Sequence, residues 1–194
     1  MAAEFDYEVP TWSQICEMLL CQAQKIQRSP YKPDVVVGIA KGGLIPARIL
    51  TDLLETPQLA VIQIEFYTGI GQRTFEPALK QPLTTSVAGK KVLLVDDIAD
   101  SGKSLKLAKT HLNEQGAGET KTAVLYRKPQ SAETPDFCEK QTDRWVVFPW
   151  ETRETLHKII QRQQGKRSLN QEIAKLVKAG LPKQLAEKLL NDMV

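Results

Sequence analysis

Two continuous apolar runs, Val35–Ala40 (VVVGIA) and Val92–Val95 (VLLV) in the strand expected over Lys91–Val95, constrain this chain more than any other feature. A strand with one wet face alternates apolar and polar side chains. A run that is apolar at every position must be covered on both faces, as in a parallel sheet between layers of helices. The intervening segments carry the matching helices. Trp12, Ile15, Cys16, Leu19, Leu20, Ala23 and Ile26 recur at the helix period, with Thr11 as N-cap and Ser29-Pro30 and Pro33 as stop. Leu44, Ala47, Ile49, Leu50, Leu53 and Leu54 make a second helix, ending near Thr56-Pro57. Leu105, Leu107, Ala108 and Leu112 make a third, closed by Gly116 and Gly118. Further strands are expected over Leu59–Phe66, Thr122–Tyr126 and Arg144–Phe148, and a helix over Thr152–Arg162. Alternating strand and helix through the first 130 residues predicts an α/β fold with a mostly parallel twisted sheet flanked by helices.

Two stretches fall outside that alternation. Tyr67–Gly89 holds Gly, Pro, Gln and Thr without a sustained period. A segment of that length inside a compact domain is expected to be a functional lid or a hairpin. Beyond Gln163-Gln164-Gly165-Lys166-Arg167, Ser168 and Gln171 form a capping-box pattern before Leu169, Ile173, Leu176 and Val177, with Gly180 as stop. Pro182 then opens a helix holding Leu185, Leu189 and Leu190. The expected division is a main domain over 1–162 and a helical C-terminal extension over 163–194, used for packing or assembly.

The chemistry concentrates in VLLVDDIADSGKS, residues 92–104. A buried strand delivers two adjacent carboxylates, Asp96 and Asp97, to its C-terminal edge, where open α/β sheets bind ligands. A turn of small and hydroxyl residues then enters a helix, which makes a phosphate cradle of backbone N–H groups. Two acids beside such a cradle would repel a bare phosphate. They make sense as acceptors for sugar hydroxyls, or as holders of a divalent cation directly or through its waters. The implied ligand carries a sugar diol and a phosphate, with magnesium. Lys103 in Gly-Lys-Ser does not make a nucleotide P-loop, because Asp97 stands where that loop needs glycine. Receiver domains place their acid pair after the first strand; here it follows the third.

The segment resembles the signature of type I phosphoribosyltransferases, which bind 5-phosphoribosyl 1-diphosphate. The resemblance covers residues 12 to about 155 and implies that fold, with a small hood over the sheet. By it, Asp96 and Asp97 bind the ribose hydroxyls and magnesium-bound water, and Ala99, Asp100, Ser101, Gly102, Lys103 and Ser104 form the phosphoribosyl loop. Asp100 takes the place of the catalytic carboxylate near the purine nitrogens. Ala40-Lys41-Gly42-Gly43 resembles the pyrophosphate loop, with the Ala40–Lys41 peptide expected to be cis. Segment 67–88 resembles the flexible catalytic loop, with Arg73 as a candidate for pyrophosphate charge. Many 6-oxopurine members have Ser-Tyr where this chain has Phe66-Tyr67, and the loop is closer to short archaeal purine enzymes.

Tyr126-Arg127-Lys128-Pro129 and the Trp145–Glu151 stretch with its Trp–Pro–Trp–acid order resemble the xanthine-guanine branch. Carried over, Lys128 reads the 6-oxo group, Trp145 stacks on the base, and Val146 and Glu151 line its 2-position. The implied activity is transfer of a phosphoribosyl group to a 6-oxopurine for purine salvage. The alternatives are a phosphoribosyl-diphosphate sensor without catalysis and an enzyme for adenine or a pyrimidine. His111 and His157, inside helices, are read as structural or exposed.

Composition narrows the setting. A formal net charge of +3 over 194 residues argues against a protein built to coat nucleic acid. No apolar run approaches the roughly 18 residues of a membrane span. The N-terminus lacks the basic start and apolar stretch of a signal peptide. Three cysteines without CxxC spacing fit a reducing cytosol. The expectation is a cytoplasmic homodimer or higher homo-oligomer.

Overall fold

The computed structural model describes residues 6–68, 75–162 and 166–193. It divides into two compact units, one of residues 16–142 and one of residues 1–15 with 143–194. Helix α1 (Trp12–Arg28) begins as expected, with Thr11 and Gln14 bonding reciprocally: the Thr11 amide donates to Gln14 Oε1 at 2.8 Å and the Gln14 amide to Thr11 Oγ1 at 3.2 Å.

The larger unit is built on a six-stranded sheet. Its strands are β2 (Val35–Ala40), β3 (Leu59–Thr68), β4 (Phe75–Gln81), β5 (Lys91–Ala99), β6 (Glu119–Arg127) and β7 (Phe137–Gln141), in spatial order β4-β3-β2-β5-β6-β7. Every neighbouring pair is parallel except β3 and β4. Helices α2 (Leu44–Leu53) and α3 (Lys103–Glu114) are the crossovers. Val35, Val37, Val92, Leu94, Leu105, Leu112 and Val124 are buried in one cluster, and the alternate strand residues Val36, Leu93 and Val95 are buried as well, as two-sided burial of the continuous runs requires. From β2 the chain adds β3 on one side, then returns to add β5, β6 and β7 on the other. The order reverses between β2 and β5, and such a reversal is where open α/β sheets bind ligands.

The sheet differs from the sequence expectation at its edges. Of the lid or hairpin expected over 67–89, the described residues show the hairpin, with β4 pairing antiparallel to β3. Pro77 lies in β4, tolerated because an edge strand leaves one side unpaired. The strand over Phe137–Gln141 was not anticipated, since its Glu, Lys and Gln give it no continuous apolar run. The strand expected over Arg144–Phe148 shrinks to β8 (Trp145–Val146) and lies outside the main sheet. It pairs in parallel with β1 (Tyr7–Glu8) in the smaller unit.

In the smaller unit, β1 and β8 are joined by a 3-10 turn (Pro149–Glu151) and helices α4 (Thr152–Arg162), α5 (Lys166–Lys178) and α6 (Lys183–Asn191). Tyr7, Val147, Leu156, Ile159, Leu176, Leu181 and Ala186 form its core. The Tyr7 hydroxyl donates to Glu172 Oε2 at 2.6 Å, and the Lys175 ammonium donates to Glu172 Oε1 at 2.9 Å. Burial alone would raise the Glu172 pKa, but these two donors outweigh it and hold the carboxyl below its ordinary range. Gly180, at φ 123°, turns the chain between α5 and α6. No helix among the described residues is long and apolar enough to cross a membrane.

Candidate active site

The site begins where two strand pairings end at different heights. Pairing of β2 with β5 stops at Gly38 and Val95. Pairing of β5 with β6 continues to Ala99 and Arg127. The sequence places the strand end at Val95; the strand in fact runs four residues further, because β6 still supplies hydrogen bonds. Asp96 and Asp97 therefore stand on a rigid strand with one flank opened. This flank lines a cleft of about 500 Å³, whose walls are Phe66, Asp96–Asp100 and Ser101–Leu105.

The turn after β2 returns to the opened flank. The Gly43 amide donates to Ile39 O at 2.8 Å and the Leu44 amide to Lys41 O at 3.2 Å. Gly42 lies against Asp97 so closely that a Cβ there would sit 2.5 Å from Asp97 Oδ1. At Gly43 a Cβ would sit 2.8 Å from Ile39 O and overlap Val95 O. Glycine at both positions is thus set by close approach of one loop to β5. The Ala40–Lys41 peptide is cis, as the resemblance leads one to expect. Lys41 is exposed on this turn.

On the other side, Ser101-Gly102 enters α3. Gly102 has φ 79°, and a Cβ there would lie 2.7 Å from Glu133 N and 2.8 Å from Ser131 Oγ. The first helical bond runs from the Lys106 amide to Gly102 O at 3.0 Å. The amides of Lys103, Ser104 and Leu105 come before it, at the positive end of the helix, and these residues line the cleft. Lys103 Nζ donates to Glu76 Oε1 of β4 at 2.6 Å.

The acid pair is not symmetrical. Asp97 is buried, at 7% exposure. The Asp97 amide donates to Asp96 Oδ1 at 3.0 Å. Removal from water, and then the neighbouring Asp97 charge, push the Asp96 carboxyl well above its usual range. Asp96 therefore keeps its proton in the folded protein at pH values where the unfolded chain has lost it. Folding binds protons there, so stability falls as pH rises from the ordinary carboxylate value, about 3.9, through the folded one. Asp96→Asn removes that loss. Its thermal midpoint without ligand should decline less than the parent's as pH rises above about 4; parallel declines in melting curves would contradict this.

The other anticipated residues fall as follows. Lys128 directly follows β6 in the larger unit with 8% exposure, and its amide donates to Ala99 O at 2.9 Å. Trp145, Val146 and Glu151 lie in the smaller unit, the first two in β8. Glu151 Oε1 accepts from the Phe148 amide at 3.3 Å and so caps the 149–151 turn. Arg73 lies outside the described residues. No local pattern in the sequence marks Gln130 or the Ser131–Glu133 turn that braces Gly102, and Phe66 stands out there only as a departure from Ser-Tyr. Phe66, 45% exposed, forms an apolar wall of the cleft. Only the exposure of a large aromatic beside a polar site marks it, and the sequence does not show exposure.

An acid pair at the opened flank of a parallel sheet, glycine turns on one side and a helix start on the other, define an α/β protein that binds a sugar phosphate. The chain belongs to the phosphoribosyl transferase domain family, whose model matches residues 18–155. It is 37% identical to a purine phosphoribosyltransferase from Pyrococcus horikoshii, with a TM-score of 0.69 over 75% of this chain and 93% of that one. A xanthine-guanine phosphoribosyltransferase of Gluconobacter oxydans is 29% identical, covering 82% of this chain and 93% of the relative. A hypoxanthine-guanine phosphoribosyltransferase of Saccharomyces cerevisiae is 27% identical, covering 75% and 87%.

Proposed function

We propose that the chain transfers the 5-phosphoribosyl group of phosphoribosyl diphosphate to a 6-oxopurine, giving a nucleoside monophosphate and pyrophosphate. The observation that carries this reading is the packing of Gly42 on Asp97, which puts the candidate pyrophosphate loop beside the candidate ribose acids. The names of the relatives add the purine.

In this reading Asp96 and Asp97 accept hydrogen bonds from the ribose hydroxyls. The Ser101–Ser104 turn takes the 5-phosphate on its backbone N–H groups. Lys41, Gly42 and Gly43 take the pyrophosphate, with Arg73 as a further cation. The C1′–O bond breaks, and its electron pair leaves with pyrophosphate. Purine N9 supplies the pair for the new C1′–N bond, and the proton the purine gives up passes to Asp100 at N7. Lys128 donates to the 6-oxo group, Trp145 stacks on the ring, and Val146 and Glu151 line the 2-position.

Magnesium fits the donor set. Among the described residues no three ligating side chains converge on one point, so an ion at Asp96 and Asp97 would take its other oxygens from the diphosphate and water. Bound there, it would offset charge on the departing pyrophosphate. The proposal includes a cytoplasmic homo-oligomer, and residues 163–194 as an extension beyond the catalytic domain.

A 6-amino group offers no acceptor to a Lys128 ammonium that donates to a 6-oxo group. The expected kcat/KM for hypoxanthine, guanine or xanthine exceeds that for adenine by about 10³-fold or more. Lys128→Met should collapse most of that ratio. Pyrophosphate release measured with each base tests it; adenine, uracil or orotate used as well as the 6-oxopurines would overturn the assignment.

A further inference from the structure

We infer that Gln130 is a positioning residue that fixes the orientation of the Asp100 carboxylate; the inference rests on the reading of Asp100 as the proton acceptor. Asp100 is exposed and sits between the last residue of β5 and the Ser101-Gly102 turn. Packing does little to choose a rotamer for an exposed carboxylate, yet proton transfer needs one oxygen aimed at the base. Gln130 Nε2 donates to Asp100 Oδ1 at 3.1 Å. That engages one oxygen and leaves Oδ2 for the purine.

The donor comes from a braced turn. At its start the Lys128 amide bonds Ala99 O at 2.9 Å, and the Ser131 amide closes on Lys128 O at 3.1 Å. The Ala132 amide bonds Ser101 O at 3.1 Å, and Ser131 Oγ donates to Glu133 O at 2.9 Å. Gly102 leaves the Glu133 amide its space. Residues 128–133 are thus pinned to both flanks of Asp100, to Ala99 before it and to Ser101 and Gly102 after it. Gln130 is the residue of that turn whose side chain reaches the carboxylate. A neutral amide holds the oxygen without bringing a fixed positive charge beside the group that must receive a proton. Lys128, assigned to the base, lies two residues away. One turn therefore presents the base-reading ammonium and orients the proton acceptor.

The test compares Gln130→Ala and Gln130→Glu with the parent, in the wild-type and the Asp100→Asn backgrounds. Gln130→Glu is close in size, but its carboxylate has no proton to donate and repels Asp100, so it serves where the alanine variant folds poorly. Steady-state kinetics with hypoxanthine give kcat and KM, and calorimetry gives the affinity for magnesium phosphoribosyl diphosphate. The expected result is a fall in kcat of about 10- to 30-fold for both variants, with diphosphate affinity within about twofold. In the Asp100→Asn background Gln130→Ala should cost almost nothing more, because its effect passes through Asp100. Unchanged kcat, an equal fractional loss in the Asp100→Asn background, or a loss shared by diphosphate affinity each overturns the inference. If Asp100→Asn itself turns over like the parent, the reading of Asp100 falls first and this inference with it. Loss in Asp100→Asn with none in Gln130→Ala overturns only the role of Gln130.

Discussion

Asp100→Asn should lower kcat by about 10²- to 10⁴-fold while changing the affinity for phosphoribosyl diphosphate by less than about threefold. The substitution keeps the size of the side chain and an oxygen that accepts from Gln130, which donates to Oδ1 at 3.1 Å. It removes the ability to take a proton from the purine. The ribose acids and the phosphate turn are different residues, held by β5 and the start of α3, so diphosphate binding keeps its contacts. Steady-state kinetics paired with calorimetry separate the two quantities. Equal losses in turnover and affinity would mean that Asp100 binds diphosphate rather than moving a proton.

The two glycines of the β2 turn should fail in opposite ways. A Cβ on Gly42 would lie 2.5 Å from Asp97 Oδ1, on a side chain that can swing away. Gly42→Ala is therefore expected to fold and to displace the ribose acid. Its kcat/KM for phosphoribosyl diphosphate should fall by about 100-fold or more, the scale of a misplaced positioning group. A Cβ on Gly43 meets Ile39 O at 2.8 Å and Ile39 N at 2.9 Å, backbone atoms that cannot turn aside. Gly43→Ala should lose about 1–3 kcal/mol of stability by overpacking, seen as a lower thermal midpoint. Melting curves and kinetics on the pair distinguish the site from the scaffold. A Gly42→Ala protein with undiminished kcat/KM would remove the link between this loop and the acids.

What the sequence shows of the fold follows from burial. Val35–Ala40 and Val92–Val95 are legible as central strands because both their faces are covered, and only a continuous apolar run satisfies that. The edges are not. Phe75–Gln81 contains Pro77, and Phe137–Gln141 carries Glu139, Lys140 and Gln141; each has a sheet neighbour on one side only, so its composition follows solvent. Tyr7–Glu8 and Trp145–Val146 are two residues each, strands only because they find one another across the chain. Val146, Val147 and Phe148 announce burial but not a partner, which is why they read as another strand of the main sheet.

The site divides the same way. Asp96 to Ser104 is legible because the strand end, the acids and the phosphate turn are contiguous, and short-range geometry sets them. Phe66 lines the cleft from β3 and Gln130 reaches Asp100 from the turn after β6, through pairings that no local pattern records. The same holds for the contact of Gly42 with Asp97, which depends on β2 and β5 being neighbours although α2, β3 and β4 separate them in the chain.

A crystal structure of the protein with magnesium and phosphoribosyl diphosphate, without a base, tests the proposed site most directly. The account predicts ribose hydroxyls within hydrogen-bond distance of the Asp96 and Asp97 carboxylates, the 5-phosphate on the amides of Ser101–Ser104, and the pyrophosphate on the Lys41–Gly43 turn. Density for the diphosphate elsewhere on the molecule, with the cleft beside β5 filled only by solvent, would contradict it.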